Sequence, residues 1–179
     1  MAANRNIVNL ALIGFMGTGK SSVGRLVAEQ LRFDFLDTDE LIEARAGKSI
    51  TEIFAQHGES TFRELEHQLV VDLAVRRRTV IATGGGLPVN PANLDHLKQH
   101  ALVICLWASP GKIFERVHTQ THRPLLHDPD PQAIIHALLT ARSPFYRQAD
   151  VLVNSDSRTI REVAQQVVSQ FRFATQARK

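Results

Sequence analysis

Apolar residues recur along this chain in short, nearly unbroken runs separated by longer amphipathic stretches. The runs Ile7–Ile13, Asp34–Leu36, Thr79–Ala82, Leu102–Leu106 and Val151–Val153 predict five strands. Several are almost continuous in Val, Ile and Leu, the pattern of strands covered on both faces, where side chains of either parity meet a packed layer. Alternation of such runs with helical segments predicts a parallel sheet wrapped by helices, a three-layer α/β/α domain. The first helix is expected from about Lys20 to Leu31, burying Val23, Leu26, Val27 and Leu31. Ser49 with Glu52, Thr61 with Glu64 and Thr159 with Glu162 have the spacing of a capping box. Asn90-Pro91, Ser109-Pro110 and Asp130-Pro131 each place a capping side chain before a proline suited to a first helical turn. Gly58 is expected to end one helix just before the next begins. The polar segment 118–130, rich in His, Pro and Asp, does not fit the scheme and is expected to be a lid-like loop. One domain over residues 1–173 follows, with a frayed tail over 174–179.

Composition narrows the class. The 179 residues suit one domain, and 44% hydrophobic residues suffice for a core. No apolar run approaches the roughly 20 residues of a membrane span, and the start lacks the features of a signal peptide. The single cysteine, Cys105, lies in an apolar run, so nothing points to an oxidising compartment and a cytoplasmic location is expected. A net charge of +3 is too mild to argue for nucleic acid, and Arg76-Arg77-Arg78 lacks interleaved aromatics; it fits a solvated helix end. The small positive excess suits anionic ligands.

The strongest local signal is Gly14-Phe15-Met16-Gly17-Thr18-Gly19-Lys20-Ser21, which matches G-x-x-x-x-G-K-[S/T] at every fixed position, between a predicted strand and a predicted helix. Glycines let the backbone curl round phosphate oxygens, and the N–H groups exposed there form an anion nest at a helix N-terminus. Lys20 would reach the β- and γ-phosphates of ATP, and the Ser21 hydroxyl would ligate Mg2+. A regulatory GTPase would carry Asp-x-x-Gly and Asn-Lys-x-Asp; neither occurs.

Further groups fall at strand ends, where an open parallel sheet binds its ligands. Asp37-Thr38-Asp39 follows the second strand: one carboxylate there can join a magnesium shell, the next can reach an acceptor hydroxyl, and either can also cap a helix. Gly84-Gly85-Gly86 follows the third strand, and three glycines in a row suggest backbone pressed against a ligand. Arg63 stands near a helix start, Arg142 opens Arg142-Ser143-Pro144-Phe145-Tyr146, and Arg123 opens Arg123-Pro124-Leu125-Leu126 in the lid-like loop.

In Gly14–Ser21, Asp37-Thr38-Asp39, Ile53-Phe54 through Gly58-Glu59, Phe62-Arg63 through Glu66, Gly84–Gly86, Arg123–Leu126 and Arg142 with Pro144 and Tyr146, the chain resembles the shikimate kinases over nearly its whole length. The resemblance implies ATP-dependent phosphorylation of the shikimate 3-hydroxyl, a step toward aromatic amino acids. Asp39 would hold that hydroxyl and accept its proton. Arg63 and Arg142 would grip the carboxylate, and the backbone at Gly84, Gly85 and Gly86 would meet the ring hydroxyls. Gly17, Thr18, Gly19, Lys20, Ser21 and Ser22 would hold the phosphates, with Arg123 closing over them and Arg158 near the adenine. Ser21 and Asp37 would hold magnesium. Thr18 and Ser22 exchange hydroxyl types seen in many relatives, which keeps the chemistry. Glu66, three residues after Arg63, can brace it on one helix. Phe54 and Phe62 suit either a wall for the ring or ordinary core packing. Cys105 is expected to be a buried hydrophobe, Trp107 packing at a strand end, and the His96–His100 and His118–His122 pairs solvated rather than metal-binding. Shikimate and ATP are the expected partners, with no nucleic acid or membrane and a monomeric state. Rival readings are a gluconate or nucleoside monophosphate kinase, and a nucleotide-binding protein without catalysis.

Overall fold

The computed structural model describes residues 5–118 and 129–176. Strand β1 (Asn9–Ile13) leads into helix α1 (Lys20–Leu31), β2 (Asp34–Asp37) and α2 (Thr38–Ala46). There follow α3 (Ile50–Asp72), a 3-10 turn (Leu73–Val75), β3 (Thr79–Ala82), a second 3-10 turn (Leu87–Val89) and α4 (Pro91–His100). The chain closes with β4 (Ala101–Trp107), α5 (Pro110–Val117), α6 (Pro131–Tyr146), β5 (Val151–Asn154) and α7 (Ile160–Gln176).

The five strands form one sheet in the order β2-β3-β1-β4-β5, and every pairing is parallel. Side-chain parity divides the core into two layers. Leu10 and Leu12 of β1 and Leu102, Ile104 and Leu106 of β4 pack with Val23, Val27, Val163 and Val167 of α1 and α7. Ala11, Ile13, Val103 and Cys105 face the other way, toward Ile53, Leu69, Leu94 and Ile113. All five residues of β1 are buried, as a central strand between two helical layers requires. Helix α1 lies so close to the sheet that a Cβ on Gly24 would stand 2.7 Å from the Phe35 ring. Leu26 and Leu31 are only half-buried at the margin of that layer.

The caps follow the sequence closely. Ser49 and Glu52 form a reciprocal capping box at α3, and Thr159 and Glu162 form the same pair at α7. Asn90, Ser109 and Asp130 accept from Ala92, Lys112 and Ala133 N–H groups, each before a proline. Gly58 breaks the helical geometry of α3 at φ 80°. Thr61 does not cap the segment beyond it: its hydroxyl donates to the His57 carbonyl one turn back. The first part of the expected tail is helical, because α7 runs through Ala174 and Thr175 to Gln176 and Ala174 packs against the core; residues 177–179 lie outside the described residues. Arg76, Arg77 and Arg78 are exposed beyond the first 3-10 turn.

The edge of the sheet opposite the strand C-termini is closed by polar contacts. Arg5 donates to both carboxylate oxygens of Asp150 at 2.6 and 2.9 Å and to the Ala101 carbonyl. Asn9, fully buried, accepts from the Thr79 N–H and donates to the Arg76 carbonyl. Its amide nitrogen also lies 3.0 Å from His100 Nδ1. Because the Asn9 oxygen is taken by Thr79, that nitrogen is a donor and His100 Nδ1 an acceptor, leaving the proton on Nε2. His100 is thus buried rather than a surface histidine, and Nε2 has no partner among the described residues.

Burial, helped by Arg77 and His96 nearby, holds the His100 pKa below its ordinary value. Above about pH 6.5 both folded and unfolded states are neutral there and the group contributes no pH dependence. Below it the unfolded chain takes up a proton first, so stability falls on acidification, by at most about 1.4 kcal/mol per pH unit. Thermal unfolding between pH 7.5 and 5 should therefore slope less in His100→Gln, which still accepts from Asn9 but does not titrate. Equal slopes would place the acid sensitivity elsewhere.

Candidate active site

The C-terminal ends of the strands converge on one crevice, and the loop after β1 is its floor. Gly14 has φ 136°, and a Cβ there would sit 2.3 Å from the Leu106 carbonyl oxygen, so no other residue fits. The loop then turns back on itself. The buried Thr18 hydroxyl donates to the Phe15 carbonyl at 2.8 Å, and Lys20 Nζ donates to the Gly14 and Phe15 carbonyls at 2.9 Å each. With carbonyls drawn toward Lys20 and α1 beginning at that residue, the loop becomes a cationic seat at a helix N-terminus. Ser21 Oγ donates to Asp37 Oδ2 at 2.6 Å, bringing the end of β2 against the loop. Asp37 Oδ1 caps α2 by accepting from the Asp39 N–H at 3.1 Å. Hydroxyl and carboxylate oxygens so placed are hard donors of the kind magnesium takes.

A cavity of about 450 Å³ opens over this seat. Gly17, Thr18, Gly19, Lys20, Ser21, Ser22, Asp37, Asp39 and Gly85 line one side, and Arg158 and Ile160 the other. Arg158 is exposed and bonded to Gln166. Arg123 lies outside the described residues. Two lining residues went unnoticed in the sequence. Arg116 of α5 donates to the Gly17 carbonyl at 3.2 Å and to Ser155. The Ser155 hydroxyl, buried after β5, donates toward the Thr18 and Trp107 carbonyls. A lone arginine in an amphipathic helix and a lone serine in a turn carry no local signal; only the fold brings them beneath the phosphate loop.

The second half of the crevice is built round Gly84–Gly86. The Gly84 N–H donates to the buried Thr38 hydroxyl at 2.8 Å. A Cβ on Gly84 would stand 2.5 Å from Asp39 Oδ1 and 3.2 Å from Glu66 Oε1, and one on Gly86 would stand 2.5 Å from an Arg63 guanidinium nitrogen. Arg63 donates to Glu66 and to Glu59, each at 2.7 Å. Burial opposes the Arg63 charge, but these two acidic partners outweigh it and raise its pKa. Glu66 is 1% exposed. Burial pushes its pKa up, Arg63 pulls it down, and Asp39 adds to the upward push while Arg142 opposes it. Its Oε1 has no hydrogen-bond partner among the described residues. The Arg142 guanidinium lies 5.6 Å from the centre of the Phe15 ring. Arg63, Arg142, Asp39 and the three glycines are thereby brought to one place. Phe62 is core, 5% exposed, with Phe54 at 36% against it, ring centres 5.0 Å apart.

The features set aside are elsewhere or inert. Cys105 is 1% exposed and burial pushes its thiol up to about 12, so it is no nucleophile. Trp107 ends β4 at 40% exposure. Among the described residues no group of three His, Cys, Asp or Glu side chains is placed to hold a metal, and no helix is long and apolar enough to cross a membrane.

A phosphate loop on the central strand of a parallel five-stranded sheet, flanked by a second charged seat, defines a P-loop kinase fold of the three-layer α/β/α type. Residues 16–172 match the family model of shikimate kinase. A shikimate kinase of Thermodesulfovibrio yellowstonii is 45% identical over 163 residues, covering 91% of this chain and 94% of its own length. One from Caldanaerobacter subterraneus is 46% identical over 160 residues, covering 89% and 94%. The solved shikimate kinase of Acinetobacter baumannii, in complex with shikimate, superposes with a TM-score of 0.89 at 34% identity over 96% of this chain and 97% of its own. The chain belongs to the shikimate kinase family. A gluconokinase from Sinorhizobium meliloti shares the fold alone, with a TM-score of 0.65 at 17% identity.

Gly84 has no positive φ, so substitution there acts through contact and not through backbone strain. Gly84→Ala should force Asp39 aside and, with Asp39 in the reacting role expected from the sequence, lower kcat by about a hundredfold, the usual cost of displacing such a group by an ångström. Nucleotide affinity, measured by calorimetry, should stay within about twofold of the parent. A variant with unchanged kcat would detach Asp39 from the chemistry.

Proposed function

We infer that the chain transfers the terminal phosphoryl group of ATP to the 3-hydroxyl of shikimate, giving shikimate 3-phosphate and ADP. The observation that carries this reading is the meeting of two arginines, one aspartate and a glycine triplet beside the phosphate loop. Membership of the shikimate kinase family supports the choice of acceptor. The planar guanidinium forks of Arg63 and Arg142 suit a carboxylate, and two of them on one carboxylate orient the ring. With the ring so held, Asp39 receives the 3-hydroxyl and takes its proton as the oxygen bonds to the γ-phosphorus. Gly85 stands between the ring and the phosphate loop.

Across the crevice, Gly17–Ser22 hold the phosphates of ATP and Lys20 leaves its loop carbonyls for the β- and γ-oxygens. Ser21 and Asp37 would hold Mg2+, which supplies charge neutralisation between those oxygens when bound. Arg123 would add a positive charge over the transferring group, and Arg158 would border the base. Phosphoryl transfer asks mainly for positioning and charge neutralisation, and these residues supply both. A cytoplasmic setting and a monomeric enzyme belong to the same reading.

Coupled ADP release, measured with ATP and magnesium against shikimate, gluconate, nucleoside monophosphates and no acceptor, tests the function. Turnover is expected with shikimate alone; activity on another acceptor would leave the nucleotide seat and overturn the acceptor. Two variants separate the roles. Arg142→Lys should raise the KM for shikimate about ten- to a hundredfold, the loss of a hydrogen bond to a charge, with ATP binding little changed. Asp39→Asn should keep the native unfolding temperature and lose about a hundredfold or more in kcat, as removal of a general base does.

A further inference from the structure

Tyr146 has no part in the mechanism above, yet its surroundings are specific. It is the last residue of α6, 3% exposed, with its ring in the core layer of Ile13, Phe15 and Cys105. Its hydroxyl donates to the Gly85 carbonyl at 2.7 Å, across 61 residues of sequence. Arg142 lies one turn earlier on the same helix, at the four-residue spacing that puts two side chains on one face. Burial pushes the phenol well above its ordinary pKa, with Arg142 opposing, so the hydroxyl remains a donor at any working pH. The Arg142 guanidinium lies 5.6 Å from the centre of the Phe15 ring, and Phe15 and Tyr146 belong to the same core layer.

Side-chain hydroxyls hold the glycine triplet at its first residue and at its middle one. Thr38 holds the Gly84 N–H from the β2 side, and Tyr146 holds the Gly85 carbonyl from the α6 side. The peptide joining Gly85 and Gly86 is planar, so fixing its carbonyl also fixes the direction of the Gly86 N–H. Glycine backbone has no side chain of its own to limit its φ and ψ, so its orientation must come from such partners.

We propose that Tyr146 is a positioning residue for the acceptor: its hydroxyl ties the Gly85 carbonyl to the turn of α6 that carries Arg142, so that the glycine seat and the carboxylate clamp keep one relative geometry. The proposal rests on shikimate being the acceptor. It concerns the binding of shikimate and not the transfer step, so its signature is a change in one KM.

The test is Tyr146→Phe, which keeps the ring and removes only the hydroxyl. The KM for shikimate should rise about three- to tenfold, the range for one neutral hydrogen bond, with kcat and the KM for ATP within about twofold. In the double variant with Arg142→Lys the two losses should be less than multiplicative, because one acts through the other. An unchanged KM for shikimate, equal losses for both substrates, or fully multiplicative losses would overturn the proposal. Should the variant fail to fold, the parent protein still decides. Tyr146 is the only tyrosine, so the NMR signal of its ring carbon bonded to oxygen can be assigned at once. Saturating shikimate should shift that signal, and a signal unmoved by bound shikimate would rule the coupling out. A parent that neither binds nor phosphorylates shikimate would instead overturn the acceptor assignment itself.

Discussion

The active site depends on how closely uncharged backbone can approach three other surfaces at once. Gly84 fits against the Asp39 and Glu66 carboxylates and Gly86 against the Arg63 guanidinium, while a Cβ added to Gly85 would stand 3.4 Å from the phosphate loop at Met16. Each glycine therefore answers to a different neighbour. A methyl group at the outer two would meet charged atoms at 2.5 Å, far inside contact distance, and would push Asp39 and Arg63 away from the triplet. The triplet is the hub from which the distance between acceptor and phosphate loop is set.

Around that hub the fold keeps charge in a place where charge is costly. A carboxylate as buried as Glu66 loses several kcal/mol of hydration. Arg63 offsets part of that cost at 2.7 Å, but Oε1 is left without a partner among the described residues, and Asp39 adds like charge nearby. A buried acceptor left in that state costs about 1–3 kcal/mol. The core beneath tolerates this because it is apolar and continuous through Ile53, Phe62 and Leu69, so α3 has one orientation and Arg63 one place to stand. Rigidity of the layer is what lets a polar cluster remain assembled before a ligand arrives.

Most of the architecture was legible because parallel strands and capped helices leave local signals. The five strands, the extent of α1 and the boxes at Ser49 and Thr159 depend on neighbours a few residues apart. The phosphate loop, Asp37 with Asp39 and the glycine triplet were legible for a second reason: glycine and aspartate at strand ends have few structural uses. What sequence could not reveal was, Thr61 apart, long-range. Thr61 has capping chemistry, but the chain needed its hydroxyl one turn back, at His57. His100 reads as a surface histidine until Asn9, 91 residues away, is found against it. Arg116 and Ser155 become visible only when α5 and the loop after β5 meet the underside of the phosphate loop.

The two halves of the crevice are not independent modules placed side by side. Asp37 reaches Ser21 with one oxygen and caps α2 with the other, and α2 carries Asp39 in its first turn. A change in the position of the phosphate loop is therefore passed toward Asp39 through the Asp37 carboxylate. Thr38, between the two aspartates, binds the glycine triplet, and the triplet packs on the loop again at Gly85. The contacts close a ring: loop, Asp37, α2, Thr38, triplet, loop. Three hydrogen bonds and one packing contact closed into a ring resist shear better than any one of them. In-line transfer needs the acceptor oxygen and the terminal phosphorus aligned to within a fraction of an ångström. In the proposed reaction the ring would supply that alignment from the scaffold, and the arginines would have only to hold the acceptor against a surface already in register with the nucleotide.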